Sequence, residues 1–140
     1  MNKGVLNLSY YAMIGKIDNS ILVRVSRTQP RLSVELKQLE GLYPPRLLLE
    51  FYKDNKIKWD EYTTRYIDYI SSNSKSQKDL EYVQTMLDNG QDVTLICYEK
   101  NMPCHRFIIG EVFHQAGYKV RLINSDGIFD YENGSCFKGV

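Results

Sequence analysis

The chain has 140 residues, a length suited to one domain. With 43% hydrophobic and 25% charged residues it has the makeup of a packed globular protein, which excludes an intrinsically disordered chain. The formal net charge of +1 is too small to imply general affinity for nucleic acid or membrane, although charge can still cluster on one face.

No apolar run approaches the roughly 20 residues that span a bilayer, and Met1 to Leu8 contain no long apolar core of a secretory signal. A cytoplasmic location with no membrane partner is therefore expected. Three cysteines, an odd count, argue against a secreted disulfide framework.

Val5 to Ile14 reads as a first strand, followed by turn residues at Lys16 to Asn19. Ile21 to Val25, of β-branched character, reads as a second strand that Pro30 ends. Arg31 to Gly41 is ambiguous, because Leu32, Leu36 and Leu39 have helical spacing within a short segment flanked by Pro30 and Gly41. Pro44-Pro45 starts a helix with Leu47, Leu48 and Phe51 on one side. Asp60 is the expected N-cap of the next helix, which aligns Tyr62, Tyr66, Tyr69 and Ile70 in one stripe.

Ser71 to Ser76 reads as a polar linker, and a further helix covers about 77–88 until Asn89-Gly90 stops it. Asp92 to Tyr98 is the clearest strand, and its unbroken apolar run suggests a buried central position in a parallel sheet. Pro103 opens another helix, with Ile109, Val112, Phe113 and Ala116 as its apolar face and Gly117 at its end. Tyr118 to Ile123 is the next strand.

This order predicts a single α/β domain over 1–140. Its expected form is three layers, a largely parallel central sheet with helices on both faces. Asp126-Gly127 and Asn133-Gly134 read as hairpin turns, so the tail, 124–140, is expected to add an antiparallel edge.

The segment Cys97-Tyr98-Glu99-Lys100-Asn101-Met102-Pro103-Cys104-His105-Arg106 joins a strand to a helix. Ligands of open α/β sheets gather at the carboxyl ends of strands, beside unpaired helix N–H groups that attract anions. Arg106 can add a bidentate contact to such an anion. A thiol at Cys104, beside His105 and Arg106, should ionise more easily than a free one, with Glu99 or His105 as base.

Four uses of this segment are weighed. They are structural packing of Cys97 and Cys104 with a Glu99–Arg106 ion pair, anion binding, thiol catalysis, and a zinc site. The gap between Cys97 and Cys104 is not the short spacing of a usual zinc knuckle, so no metal or cofactor is expected. A zinc site would need His105, His114 or Cys136 to complete it. A tyrosine-phosphatase loop is absent, because the residues six positions after Cys97 and Cys104 are Pro103 and Gly110 where an Arg is needed. No Walker A loop occurs either. A second half of the site is read at Arg24-Val25-Ser26-Arg27-Thr28-Gln29-Pro30, where two arginines, two hydroxyls and an amide lie at and just past the end of the second strand. The tyrosine stripe reads mainly as core, with Tyr62 the candidate to stack on a ligand base.

Four stretches in order carry a resemblance. They are Ser9-Tyr10-Tyr11-Ala12, Val25-Ser26-Arg27 with Pro30, the middle from Leu42-Tyr43-Pro44-Pro45 to Tyr66, and Cys97-Tyr98-Glu99-Lys100 with Cys104-His105-Arg106. Over about 9–117 the chain resembles the domain-of-unknown-function 488 family. The resemblance implies a compact α/β fold, its core at about 9–123, with Cys, His and Arg in a shared pocket. It implies no established activity. Members in bacteria and phages connect it to nucleic-acid metabolism or host–phage conflict. The tail after Ile123 departs from the family pattern.

The leading expectation is a pocket for a phosphate-bearing ligand, a nucleotide or a nucleic-acid end, bound by Arg106, Arg27, Ser26, Cys97 and Tyr62. The rival is a thiol-dependent enzyme with Cys104 as nucleophile and Glu99 or His105 as base. A third reading is a conflict protein that acts by binding a protein or nucleotide.

Overall fold

The computed structural model describes residues 2–98 and 104–131. Its frame is a six-stranded sheet in the order β3-β2-β4-β1-β5-β6. The strands are β1 (Leu6–Tyr10), β2 (Ser20–Arg24), β3 (Lys37–Gln38), β4 (Asp92–Cys97), β5 (Val120–Asn124) and β6 (Gly127–Asp130). All neighbours pair in parallel except β5 and β6, which form the antiparallel C-terminal edge. Asp126-Gly127 makes that hairpin turn as its sequence indicates, with Gly127 at φ +136°. Asn133-Gly134 lies outside the described residues.

The α-helices are α1 (Arg46–Lys53), α2 (Trp59–Ser72), α3 (Ser74–Asp88) and α4 (His105–Gln115). None of the described helices is long and apolar enough to cross a membrane.

Side-chain alternation divides the sheet. Leu6, Leu8, Val23, Val93, Leu95 and Cys97 point to one face, where they join the buried residues of the four α-helices in the main core. Ile96 and Leu22 point to the other face. There a 3-10 helix, Tyr11–Lys16, and the loop carrying Leu32 and Leu36 cover them. Helical segments thus lie on both faces of the sheet.

Several boundaries differ from the sequence reading, each for a local reason. The first strand stops at Tyr10, because Tyr11 turns away to bond Ser26 and begins the 3-10 helix. The leucines of 31–41 do not form a helix. Leu36 and Leu39 enter opposite cores around β3, as strand alternation requires, and a 3-10 turn, Glu40–Leu42, follows. Leu47 is 65% exposed, and α1 buries Leu48 and packs Leu49, Phe51 and Tyr52 inward. Lys58, not Asp60, holds the N-cap position of α2, and Asp60 lies in the first turn, where a carboxylate favours the helix dipole.

The expected serine linker is helix apart from Asn73. The Asn73 Oδ1 accepts from the Ser76 N–H at 3.0 Å, and the buried Ser76 hydroxyl donates to the Gly41 carbonyl at 2.5 Å. In α4, Val112 and Ala116 face solvent, while Phe107, Ile108, Ile109 and Phe113 are buried. The first two turns are enclosed on all sides because α4 presses onto β1. A Cβ on Gly110 would stand 2.7 Å from a Leu8 methyl.

The chain order fixes where a ligand site can form. From β2 the chain leaves outward to β3, whereas from β4 it leaves in the opposite direction, across β1 to β5. The carboxyl ends of β2 and β4 are therefore a topological switch point, where an open crevice is expected.

Gly41 seats the 3-10 turn Glu40–Leu42 closely against α3. Its N–H donates to the buried Asp79 carboxylate at 2.7 Å, and a Cβ there would lie 2.6 Å from the backbone of Lys75 and Ser76. Gly41→Ala is expected to lower stability by about 1–3 kcal/mol. Chemical denaturation would show this as a lower midpoint with an unchanged slope.

Candidate functional site

A cleft of about 610 Å³ opens at the switch point. Ser26, Arg27 and Thr28 contribute from the end of β2, Cys97 and Tyr98 from the end of β4, and His105 from the start of α4. The third wall is α1, through Arg46, Leu49, Glu50 and Lys53. These four recur at i, i+3, i+4 and i+7, so they share one helix face.

The floor is a cluster of two thiols and an imidazole. Cys97 ends β4, and Cys104 is the N-cap residue of α4, with extended backbone and its carbonyl accepting from the Phe107 N–H at 3.0 Å. Their Sγ atoms are 3.0 Å apart, and neither is in a disulfide. His105 Nδ1 lies 3.7 Å from the Cys104 sulfur and 3.9 Å from that of Cys97.

The other ring nitrogen, Nε2, is 2.5 Å from the Val25 carbonyl oxygen. A carbonyl only accepts, so Nε2 carries a proton. In the neutral ring Nδ1 is then the lone-pair nitrogen, nearest the Cys104 sulfur, while the Cys97 sulfur is about equally far from Nδ1 and Nε2, at 3.9 and 4.0 Å. Tyr66 supports the ring from the core, edge-on at 5.6 Å between centroids. Burial holds the Tyr66 phenol well above its usual range, so it stays neutral and donates to the Leu42 carbonyl at 2.6 Å.

Arg106 is 1% exposed and lies outside the cleft lining. Its guanidinium carbon is 4.7 Å from the centroid of the Phe107 ring. Its Nε and Nη1 have no hydrogen-bond partner among the described residues. Its contribution to the site is therefore a buried positive charge. Burial alone would push the Cys104 thiol up, but the Cys97 hydrogen bond, the Arg106 charge and the adjacent His105, in its protonated form, outweigh it. The thiol is held well below the usual range.

The β2 end is shaped by a short polar network. Ser26 Oγ donates to the Thr28 carbonyl at 2.5 Å and lies 2.6 Å from the Tyr11 hydroxyl. Arg24 donates to the Ser26 and Arg27 carbonyls. Arg27 is exposed and bonds the Pro44 carbonyl at 3.0 Å, tying the β2 loop to the wall of α1.

Of the residues singled out from sequence, Cys97, His105, Ser26 and Arg27 meet in the cleft, and Cys104 lies directly beneath it. Arg106 is buried behind Cys104. Tyr62 is buried in the helical core, stacked on Trp59 at 5.1 Å and one ring removed from His105 through Tyr66. His114 is on the last turn of α4 against the Tyr131 ring, remote from the cleft lining. Glu99 and Cys136 lie outside the described residues.

Sequence reasoning did not single out Arg46, Lys53, Tyr98 or the Val25 carbonyl. The i, i+4, i+7 spacing of Arg46, Glu50 and Lys53 was the available signal for α1. Cys97, Cys104 and His105 also form a metal-capable set, their ligand atoms all within 4.8 Å of one another. From sequence the gap between Cys97 and Cys104 sets a zinc site aside, but separation along the chain says little about distance across a strand-to-helix junction.

The fold and this floor define an α/β protein with a thiol–imidazole cluster at the switch point of a parallel sheet. A family model described as the active DUF488-N3 subclade (DUF488-N3a) matches residues 16–117, more than half of the chain. The chain belongs to the domain-of-unknown-function 488 family. The match takes in the Cys97 to Arg106 segment and the Arg27 loop, and it leaves out β1 and the tail. The chain matches no curated protein and no solved structure.

The electrostatics predict a pH profile. The thiolate is the form that alkylates, and a lowered pKa keeps it populated as pH falls. Alkylation of Cys104 in reduced, chelator-treated protein, followed by peptide mass spectrometry, should stay near its plateau below the ordinary thiol pKa of about 8.5. It should decline only at more acidic pH. Arg106→Met, checked for fold by circular dichroism, should move that decline upward in pH. A wild-type profile centred near the ordinary thiol value would contradict the assignment.

Proposed function

We propose that the chain binds a phosphate-bearing ligand, a nucleotide or a nucleic-acid end, in the cleft at the ends of β2 and β4. The observation that carries this reading is charge convergence. Among the described lining residues, Arg27, Arg46 and Lys53 meet there with one carboxylate, Glu50, in a protein with a net charge of only +1. Glu50 is engaged with Arg46 at 3.3 Å, so that among the described lining residues Arg27 and Lys53 are the cations outside that pair.

Cleft chemistry supports a nucleotide over a bare anion. Tyr98 is 45% exposed on the wall, and Leu49 and Pro44 supply apolar surface beside it. A flat aromatic face next to a cationic patch suits a base or ribose joined to phosphate. The thiol–imidazole floor supplies soft donor groups at the bottom of the same cleft.

Calorimetric titration with inorganic phosphate and with a nucleoside monophosphate tests this reading. Saturable binding that weakens with added salt is expected, tighter for the nucleotide. Arg27→Ala and Lys53→Ala should each weaken binding about tenfold, roughly 1.4 kcal/mol. Binding indifferent to both substitutions, or absent for both probes, would exclude the cleft as an anion site.

A further inference from the structure

We infer that Cys97 Sγ, Cys104 Sγ and His105 Nδ1 form a binding site for one zinc ion at the floor of the cleft. The inference goes beyond anion binding and does not depend on it.

Three observations point the same way. First, the three donor atoms come from two elements, the end of β4 and the start of α4, yet lie within 4.8 Å of one another and are all buried. Second, His105 is held in the tautomer a metal ligand needs. Its Nε2–H is fixed on the Val25 carbonyl at 2.5 Å, which leaves Nδ1, 3.7 Å from the Cys104 sulfur and 3.9 Å from that of Cys97, as the nitrogen that can donate to an ion. Imidazoles that bind metals characteristically donate their remote N–H to a carbonyl or carboxylate in this way. Third, Tyr66 packs edge-on against the ring and restricts its swing.

The donor set selects the ion. Two thiolates and an imidazole are soft to borderline donors, which disfavour magnesium and calcium and suit zinc. Tetrahedral zinc, with Zn–S near 2.3 Å and Zn–N near 2.0–2.1 Å, separates two sulfurs by about 3.8 Å and sulfur from nitrogen by about 3.6 Å. The sulfur–nitrogen distances of 3.7 and 3.9 Å are already close to this. The sulfurs, at 3.0 Å, must part by somewhat under 1 Å, a small side-chain rotation. Two thiolates balance the ion's double charge, and any thiol still protonated releases its proton on binding. Cys97 and His105 also line the cleft, so the fourth position of the ion faces the space where water or a phosphate oxygen would enter.

The test uses the full chain, reduced and stripped of metal, titrated with cobalt(II) and then with zinc. The expected result is one cobalt per chain, giving the visible bands and the sulfur-to-cobalt charge transfer of a tetrahedral thiolate site, displaced by one zinc. X-ray absorption of the zinc-loaded wild-type chain should show two sulfurs and one imidazole nitrogen in the first shell. That measurement stands even if substitutions in this buried cluster prevent folding. Cys97→Ser, Cys104→Ser and His105→Gln, where folded by circular dichroism, should each weaken zinc at least tenfold, since losing an outer-shell partner alone costs about 10–100-fold.

No saturable uptake, uptake untouched by all three substitutions, or a first shell without both sulfurs would overturn the assignment. So would a Cys97–Cys104 disulfide forming in reducing buffer in place of ion uptake. Zinc binding that persists while phosphate binding is absent would sink only the anion reading. The reverse result would sink only this one.

Discussion

The hydrogen bond from His105 Nε2 to the Val25 carbonyl is the constraint around which the site is built. Val25 lies one residue past the end of β2. Its N–H still joins the ladder, donating to the Ile96 carbonyl of β4 at 3.1 Å, but its carbonyl turns to the first residue of α4. One residue thereby ties the end of β2, the end of β4 and the start of α4 together. Deleting the imidazole would leave a buried carbonyl without this partner, a loss of about 1–3 kcal/mol. In the neutral ring the same bond selects the tautomer whose lone pair is on Nδ1, 3.7 Å from the Cys104 sulfur.

Charge is arranged in two layers around that bond. Arg27, Arg46 and Lys53 occupy the cleft, where solvent and a ligand can reach them. Arg106 is enclosed behind the floor with two guanidinium nitrogens lacking hydrogen-bond partners among the described residues. A buried cation without such partners is costly unless a nearby negative charge offsets it. The lowered pKa of Cys104 supplies one, so the thiolate and Arg106 stabilise each other. Arg106 therefore acts on the thiol beside it, whereas the sequence suggested a direct contact to the ligand's phosphate.

Much of the fold was legible because its signals are local. The continuous apolar run of Asp92 to Cys97, the glycines at 90 and 117, and the Asp126-Gly127 turn each state a backbone requirement that tertiary packing did not override. The misreadings occur where packing partners decide. Serines at 71–76 read as a linker until Ser76 is seen bonded to Gly41. Leu36 and Leu39 have helical spacing yet serve opposite faces of a sheet. For the site, the Cys97 to Arg106 junction and the Arg27 loop could be named from sequence, because strand ends and helix starts collect ligand groups. The contribution of α1 could not, since nothing in Arg46 to Lys53 announces which element that helix face will meet.

Direct observation of the His105 tautomer tests the account at its root. Long-range proton–nitrogen correlation spectra of the 15N-labelled, metal-free protein at neutral pH resolve which ring nitrogen carries the proton. The account predicts a protonated Nε2, its proton protected from exchange by the Val25 carbonyl. A neutral ring with its proton on Nδ1 and a bare Nε2, or an imidazole averaging freely between the two tautomers, would contradict it.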